Sequence, residues 1–157
     1  MIQYKLRRST RYLIIDDSAT PPDISIHDLR WRQRKGGLLE IGHHFTITHG
    51  GQTIETRPQA LVGTHCIGHD LDSIGILLIG GRNVGDPETP VDNFGSAQRV
   101  ALFHLIFRLR QQYGPLPIMG QYEFKEHSLQ RGPALDMADL REDFNAYIAT
   151  GGMSEDA

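Results

Sequence analysis

The sequence predicts a single α/β domain, a mixed central β-sheet flanked by helices. Three observations predict it. The most apolar run in the chain, Ser73 to Gly80 (SIGILLIG), reads as a central strand covered on both faces. Tyr12-Leu13-Ile14-Ile15 has the same strand character. Between residues 97 and 112, Val100, Leu102, Phe103, Ile106, Phe107 and Leu109 recur at helical spacing and give a wide apolar face. Strands and helices alternate only in part, in the order β-α-β-β-β-α-β-α, and partial alternation indicates a mixed sheet with helices on both faces.

The strand from Tyr12 to Ile15 ends at Asp16, and Pro21-Pro22 turns the chain. Ser25-Ile26-His27-Asp28 has the Ser-x-x-Asp form of a helix start, and Gly36-Gly37 stops that helix. Phe45 to Thr48 and Gln52 to Thr56 alternate in character around His49-Gly50-Gly51, a hairpin signal. Gly, Pro, Asp and Asn over residues 82–95 make a loop, after which Ser96 is expected to cap the helix from Ala97 to Gln112. Leu116 to Met119 is a short last strand, 120–135 an irregular loop, and Asp136 caps a final helix to about Ala149.

One domain spanning 1–157 fits the length, with a core from about 10 to 148 and loosely held ends. A hydrophobic share of 39% and a charged share of 22% fit a folded globule. The net charge of −3 makes nucleic acid an unlikely partner, although Lys5, Arg7, Arg8 and Arg11, and then Arg30, Arg32, Arg34 and Lys35, form local basic clusters that read as solvated faces. Cys66 is alone, so no internal disulfide forms and nothing calls for an oxidising compartment. No apolar run approaches the ~20 residues of a membrane span, and the N-terminus has no apolar signal region. The expectation is a soluble protein without a secretion signal, located in the bacterial cytoplasm or in a phage virion.

Five segments, in order, carry a resemblance: Ile14 to Thr20, Glu40 to Phe45, Val62 to Gly68, Asp72 to Gly81 and Gly132 to Asp136. Together they resemble the phage and bacterial N-acetylmuramoyl-L-alanine amidases, the amidase-type lysozymes of tailed phages, whose fold peptidoglycan recognition proteins share. The resemblance implies the amidase-type lysozyme fold and a zinc-dependent hydrolysis of the amide between muramic acid and L-alanine. Two His and a Cys or Asp would hold the ion and leave one position open for water.

Carried over position by position, that chemistry is missing here. The zinc positions hold Asp16, Gln121 and Gly132, and the assisting positions hold His43, where the family has Tyr, and Gln130, where it has Lys. Gln121 offers a neutral amide oxygen and Gly132 offers nothing, so no metal and no catalytic residue are expected. A relocated site built on Asp16 and His127 is the weaker alternative. His43 and His44 are neighbours at a strand entry and are expected to point to opposite faces, which keeps them from sharing an ion. His44, His65, Ser73 and Glu123 are the candidate binding residues, with loop bracing the competing reading for the two histidines and sheet architecture for Ser73. Asp17 is expected to cap the turn into Ser18-Ala19-Thr20. Cys66 reads as an inert buried thiol.

The expectation is therefore a catalytically inactive amidase-fold protein, phage or prophage encoded, that binds peptidoglycan fragments or a protein partner. The alternatives are a divergent amidase with altered metal ligation, using zinc, and a regulator that binds an RNA polymerase through the basic N-terminal segment.

Overall fold

A computed structural model describes residues 5–37, 40–124 and 132–151. The elements follow the expected order: β1 (Tyr12–Asp17), α1 (Ile26–Lys35), β2 (Phe45–Ile47), β3 (Thr53–Glu55), β4 (Ser73–Leu78), α2 (Ser96–Tyr113), β5 (Ile118–Gly120) and α3 (Met137–Ala149). They build a five-stranded sheet in the order β3-β2-β4-β1-β5. The hairpin β2–β3 is antiparallel, and β2–β4, β4–β1 and β1–β5 are parallel. The mixed sheet is thus as expected, with β1 and β4 at its centre.

Alternation along the strands sorts the side chains into two layers. Leu13 and Ile15 of β1, with Ile74, Ile76 and Leu78 of β4, face α2 and α3, where they meet Leu102, Ile106, Met137, Leu140 and Phe144 in the main core. Phe103 and Phe144 join the two helices, ring centroids 5.8 Å apart. Leu77 and Ile79 face the other way and pack with Ile41 and with Leu29 of α1. Helices therefore cover both faces, but α1 covers only part of its face. The rest of that face, over Tyr12, Ile14, Asp16, Ser73 and Gly75, is covered by loop residues, with Ile14, Ser73 and Gly75 buried, and is where the candidate site lies. Each fully buried Leu or Ile contributes about 1.5–3 kcal/mol relative to exposure, so the two-sided sheet is the stable frame.

The helix starts follow different chemistry. Ser25 accepts from Asp28 N–H at 3.0 Å and Asp136 accepts from Asp139 N–H at 3.1 Å, both as expected. Ser96 is not a cap: it is the first residue of α2, and the extended Gly95 is the N-cap, with no side-chain bond. What fixes the start of α2 is Gln98, fully buried, whose Nε2 donates to Ile47 O and Ile79 O at 2.9 and 3.0 Å and so ties the helix to the ends of β2 and β4. The segment 120–135 opens with a short 3-10 turn at Gln121–Glu123. Its residues 125–131, which include His127 and Gln130, lie outside the described residues. Among the described residues, no helix is long and apolar enough to cross a membrane.

Candidate functional site

The site forms where the sheet face left open by α1 meets two loops. Asp16, near the end of β1, points onto this face because Leu13 and Ile15 point to the other. Its Oδ1 accepts from Asp17 N–H at 2.8 Å, and its Oδ2 lies 3.8 Å from Nε2 of His43. The two side chains are 14% and 10% exposed, so the pair is nearly enclosed. Neither ring nitrogen of His43 has a hydrogen-bond partner among the described residues. A buried polar group left unpaired costs about 1–3 kcal/mol, which marks this pair, with His65 Nδ1 beside it, as polar features of the face that the fold itself does not explain.

Gly132 stands against Asp16 from the far side, joined to Pro133 by a cis peptide bond. A Cβ placed on Gly132 would fall on Asp16 Oδ1. The carboxylate thus fills the space in which a side chain at position 132 would begin. Gln121 is buried, and its Nε2 donates to His65 O at 2.8 Å.

His44 is held at both nitrogens. Gly75 N–H donates to Nδ1 at 3.0 Å, so Nε2 carries the proton and donates to Leu61 O at 2.7 Å. Burial pulls its pKa down to about 4, which keeps the ring neutral. His65 lies with its Nε2 2.7 Å from Ser73 Oγ, and that hydroxyl spends its one proton on His69 O at 2.6 Å. Burial holds His65 well below the usual histidine range. Its ring lies flat against Gly75, where a Cβ would come within 2.6 Å of Cγ. The glycine at 75 thus makes room for an imidazole. Asp70 Oδ1 accepts the N–H groups of His65 and Cys66 at 2.8 Å each, and the Cys66 thiol is buried.

The expected divergence of His43 and His44 is not what the structure shows. Residues 42–44 form a bend ahead of β2, so strand alternation does not reach them. Both rings flank His65, with centroids at 5.7 and 5.4 Å. Glu123 forms a two-pronged pair with Arg141 at 2.7 and 2.9 Å and also accepts Gly120 N–H at 2.9 Å. Its oxygens tie the turn after β5 to α3.

Asp17 does cap the turn, accepting Ala19 N–H at 3.0 Å while Ala19 adopts a φ of 53°. It also accepts Ala134 N–H at 2.8 Å, a strut between β1 and the segment entering α3 that the sequence reading missed. Burial pushes its carboxyl up to about 6. No local signal announces a bond between residues so far apart in the chain.

A zinc centre of this type needs three donor side chains converging on one ion. At the three positions that the resemblance assigns to the ion, Asp16 supplies one carboxylate, Gln121 a neutral amide whose nitrogen is engaged with the main chain, and Gly132 no side chain. The residues at these three positions do not fit the ion. Among the described residues, no group of three or more His, Cys, Asp or Glu side chains is placed to hold a metal.

No protein-family model matches the chain. It is 32% identical over 125 residues to the endolysin of Klebsiella phage KP32, covering 78% of this chain and 81% of that one. Its fold matches the N-acetylmuramoyl-L-alanine amidase LysC from Clostridium intestinale URNW, with a TM-score of 0.76 at 16% identity over 92% of this chain and 91% of the other. It also matches the Drosophila peptidoglycan recognition protein PGRP-SA, with a TM-score of 0.65 at 18% identity over 83% of this chain and 77% of the other.

Proposed function

Because the chain belongs to the amidase-type endolysin family, we propose that it keeps the family's fold without the zinc chemistry. On this reading it is a catalytically inactive binding protein, encoded by a phage or prophage, whose partner is a peptidoglycan fragment or another protein. The observation that carries the reading is the Asp16–Gly132 fit. The carboxylate reaches into the space that a side chain at position 132 would need, so Asp16 as placed leaves no room there for a metal-binding side chain. Asp16 alone cannot hold a zinc ion in the three-donor geometry that activates water in a centre of that kind. The kinship with phage endolysins supports the phage origin, and the likeness to a protein named for peptidoglycan recognition supports a site used for holding.

The test pairs two measurements on purified protein. Elemental analysis reads zinc per chain, and digestion of purified cell wall reads newly exposed peptide amino ends. The expected result is no stoichiometric zinc and no release. About one zinc per chain with chelator-sensitive release would overturn the proposal.

One observation favours a second reading, an amidase with altered metal ligation. Asp16 Oδ2 and His43 Nε2 stand 3.8 Å apart, a spacing that suits two ligands of one ion. Against it, a metal-bound histidine ordinarily donates its other N–H to a carboxylate or carbonyl, and Nδ1 of His43 has no such partner among the described residues.

A further inference from the structure

Helix α1 carries to the surface the chain's single tryptophan, set among its cations. Trp31 is 58% exposed. Arg32, Arg34 and Lys35 around it are exposed as well, and the Lys35 ammonium sits 4.8 Å above the indole centroid. Within Ile26–Lys35 the four cations Arg30, Arg32, Arg34 and Lys35 face one carboxylate, Asp28, and Glu40 beyond the helix lies 3.7 Å from Arg34. The helix is anchored inward by Leu29, with Ile26 packed beside it, so its outer surface takes no part in the core.

The helix dipole favours cations in a last turn, and that accounts for the charge. It does not account for an indole left in water at the centre of the charge. A large aromatic with long cationic stems around it is amphipathic in the manner of groups that settle at a headgroup layer. The ring takes the boundary between headgroups and acyl chains, and the Arg and Lys stems reach back to the phosphates. We propose that α1 is a peripheral docking surface for a bilayer rich in anionic phospholipid, with Trp31 as the inserted group and Arg32, Arg34 and Lys35 as the phosphate-facing groups. The charge complementarity is local: a chain with a net charge of −3 presents this one basic, aromatic-centred helix. That overall charge, with a single exposed ring, is poorly matched to nucleic acid, which calls for a basic tract and several stacking aromatics. The inference stands on α1 alone and does not depend on whether the candidate site is active.

The full chain is its own probe, since Trp31 is the only tryptophan. Its emission is followed against vesicles of phosphatidylcholine alone and of phosphatidylcholine with phosphatidylglycerol. A blue shift confined to the anionic vesicles is expected, with binding lost at high salt. Each cation at an anionic surface is worth about fivefold in partitioning, so Arg32→Glu with Arg34→Glu, folded by circular dichroism, should weaken binding more than tenfold. Trp31→Ala, followed by co-sedimentation, should weaken it severalfold. Absence of a shift on anionic vesicles, an equal shift on both vesicle types, or unchanged binding in these variants overturns the proposal. An equal shift with polyphosphate or a single-stranded oligonucleotide at matched phosphate also overturns it, by assigning the patch to polyanions at large. The salt titration of the parent protein decides the electrostatic part even where a variant fails to fold.

Discussion

Asp16 Oδ1 overlaps the space in which a Cβ on Gly132 would stand. One residue lies near the end of a central strand and the other precedes the segment that enters α3, so each explains the other. A side chain can be absent at 132 because a carboxylate fills its place, and the carboxylate fits because the glycine leaves room.

The first prediction follows from that fit. Gly132→Cys alone should destabilise the protein by about 1 kcal/mol, because the clashing atom is the end of a carboxylate that can turn aside only by giving up its hydrogen bond from Asp17 N–H. Asp16→Ala removes the obstructing carboxylate, so the double variant should recover most of the loss. Denaturant unfolding of the two single variants and the double variant measures the coupling. Additive losses would show that the two positions do not share the space.

The second prediction concerns metal. A protein that gains nothing from zinc should melt at the same temperature with and without chelator. Restoring donors at all three positions, with Asp16→His, Gln121→His and Gly132→Cys together, should yield a protein that binds zinc more tightly than the parent and melts lower when chelator is added. Calorimetric titration with zinc and thermal melts check both halves. A parent that melts lower in chelator contradicts the first half.

Much of this frame was legible in the sequence, because strand character and cap residues are local signals. The order of all eight elements, the central place of Ser73–Leu78 and the Asp17 turn follow from them. What escaped is set by contacts between distant segments. The start of α2 is fixed by Gln98 reaching two strand ends, where the local rule pointed to Ser96. The bend at residues 42–44 overrides strand alternation and gathers His43 and His44 around His65. The departures at 16 and 132 are each visible alone, but only the fold shows that they are complementary.

The third prediction is a pH dependence with two opposing parts. His44 is lowered from 6.5 to about 4 by burial, so the unfolded chain binds more protons between those values. Its contribution to stability is full above pH 6.5 and is lost as pH falls toward 4, an effect of about 3 kcal/mol. Asp17 is raised from 3.8 to about 6 by burial. The native state then holds the extra proton, and stability from this group falls as pH rises from 4 to 6, again by about 3 kcal/mol. His65, lowered in the same direction as His44, tips the balance. The parent should lose stability on acidification through this window, Asp17→Asn should steepen the loss and His44→Gln should flatten it. Urea unfolding at half-unit pH steps reads the slopes, and a His44→Gln slope equal to the parent's would contradict the assignment.

The last prediction tests the imidazole against β4. Gly75 has no side chain and the His65 ring lies on its Cα, close enough that an added methyl would meet Cγ and Cδ2 at 2.6 and 2.7 Å. His65 cannot retreat freely. Its Nε2 is bonded to Ser73, its main-chain N–H to Asp70 and its carbonyl to Gln121. Gly75 N–H also supports His44, so displacement there reaches a second histidine. Gly75→Ala should therefore cost about 1–3 kcal/mol through overpacking, against the gain of a few tenths to 1 kcal/mol that Gly→Ala brings where the backbone and space allow it. Gly50→Ala, where an added Cβ meets nothing within 4 Å, is the control and should be near neutral. Equal stabilities for the two variants would show that the His65 ring yields at no cost, and that the bonds to Ser73, Asp70 and Gln121 do not fix it in place.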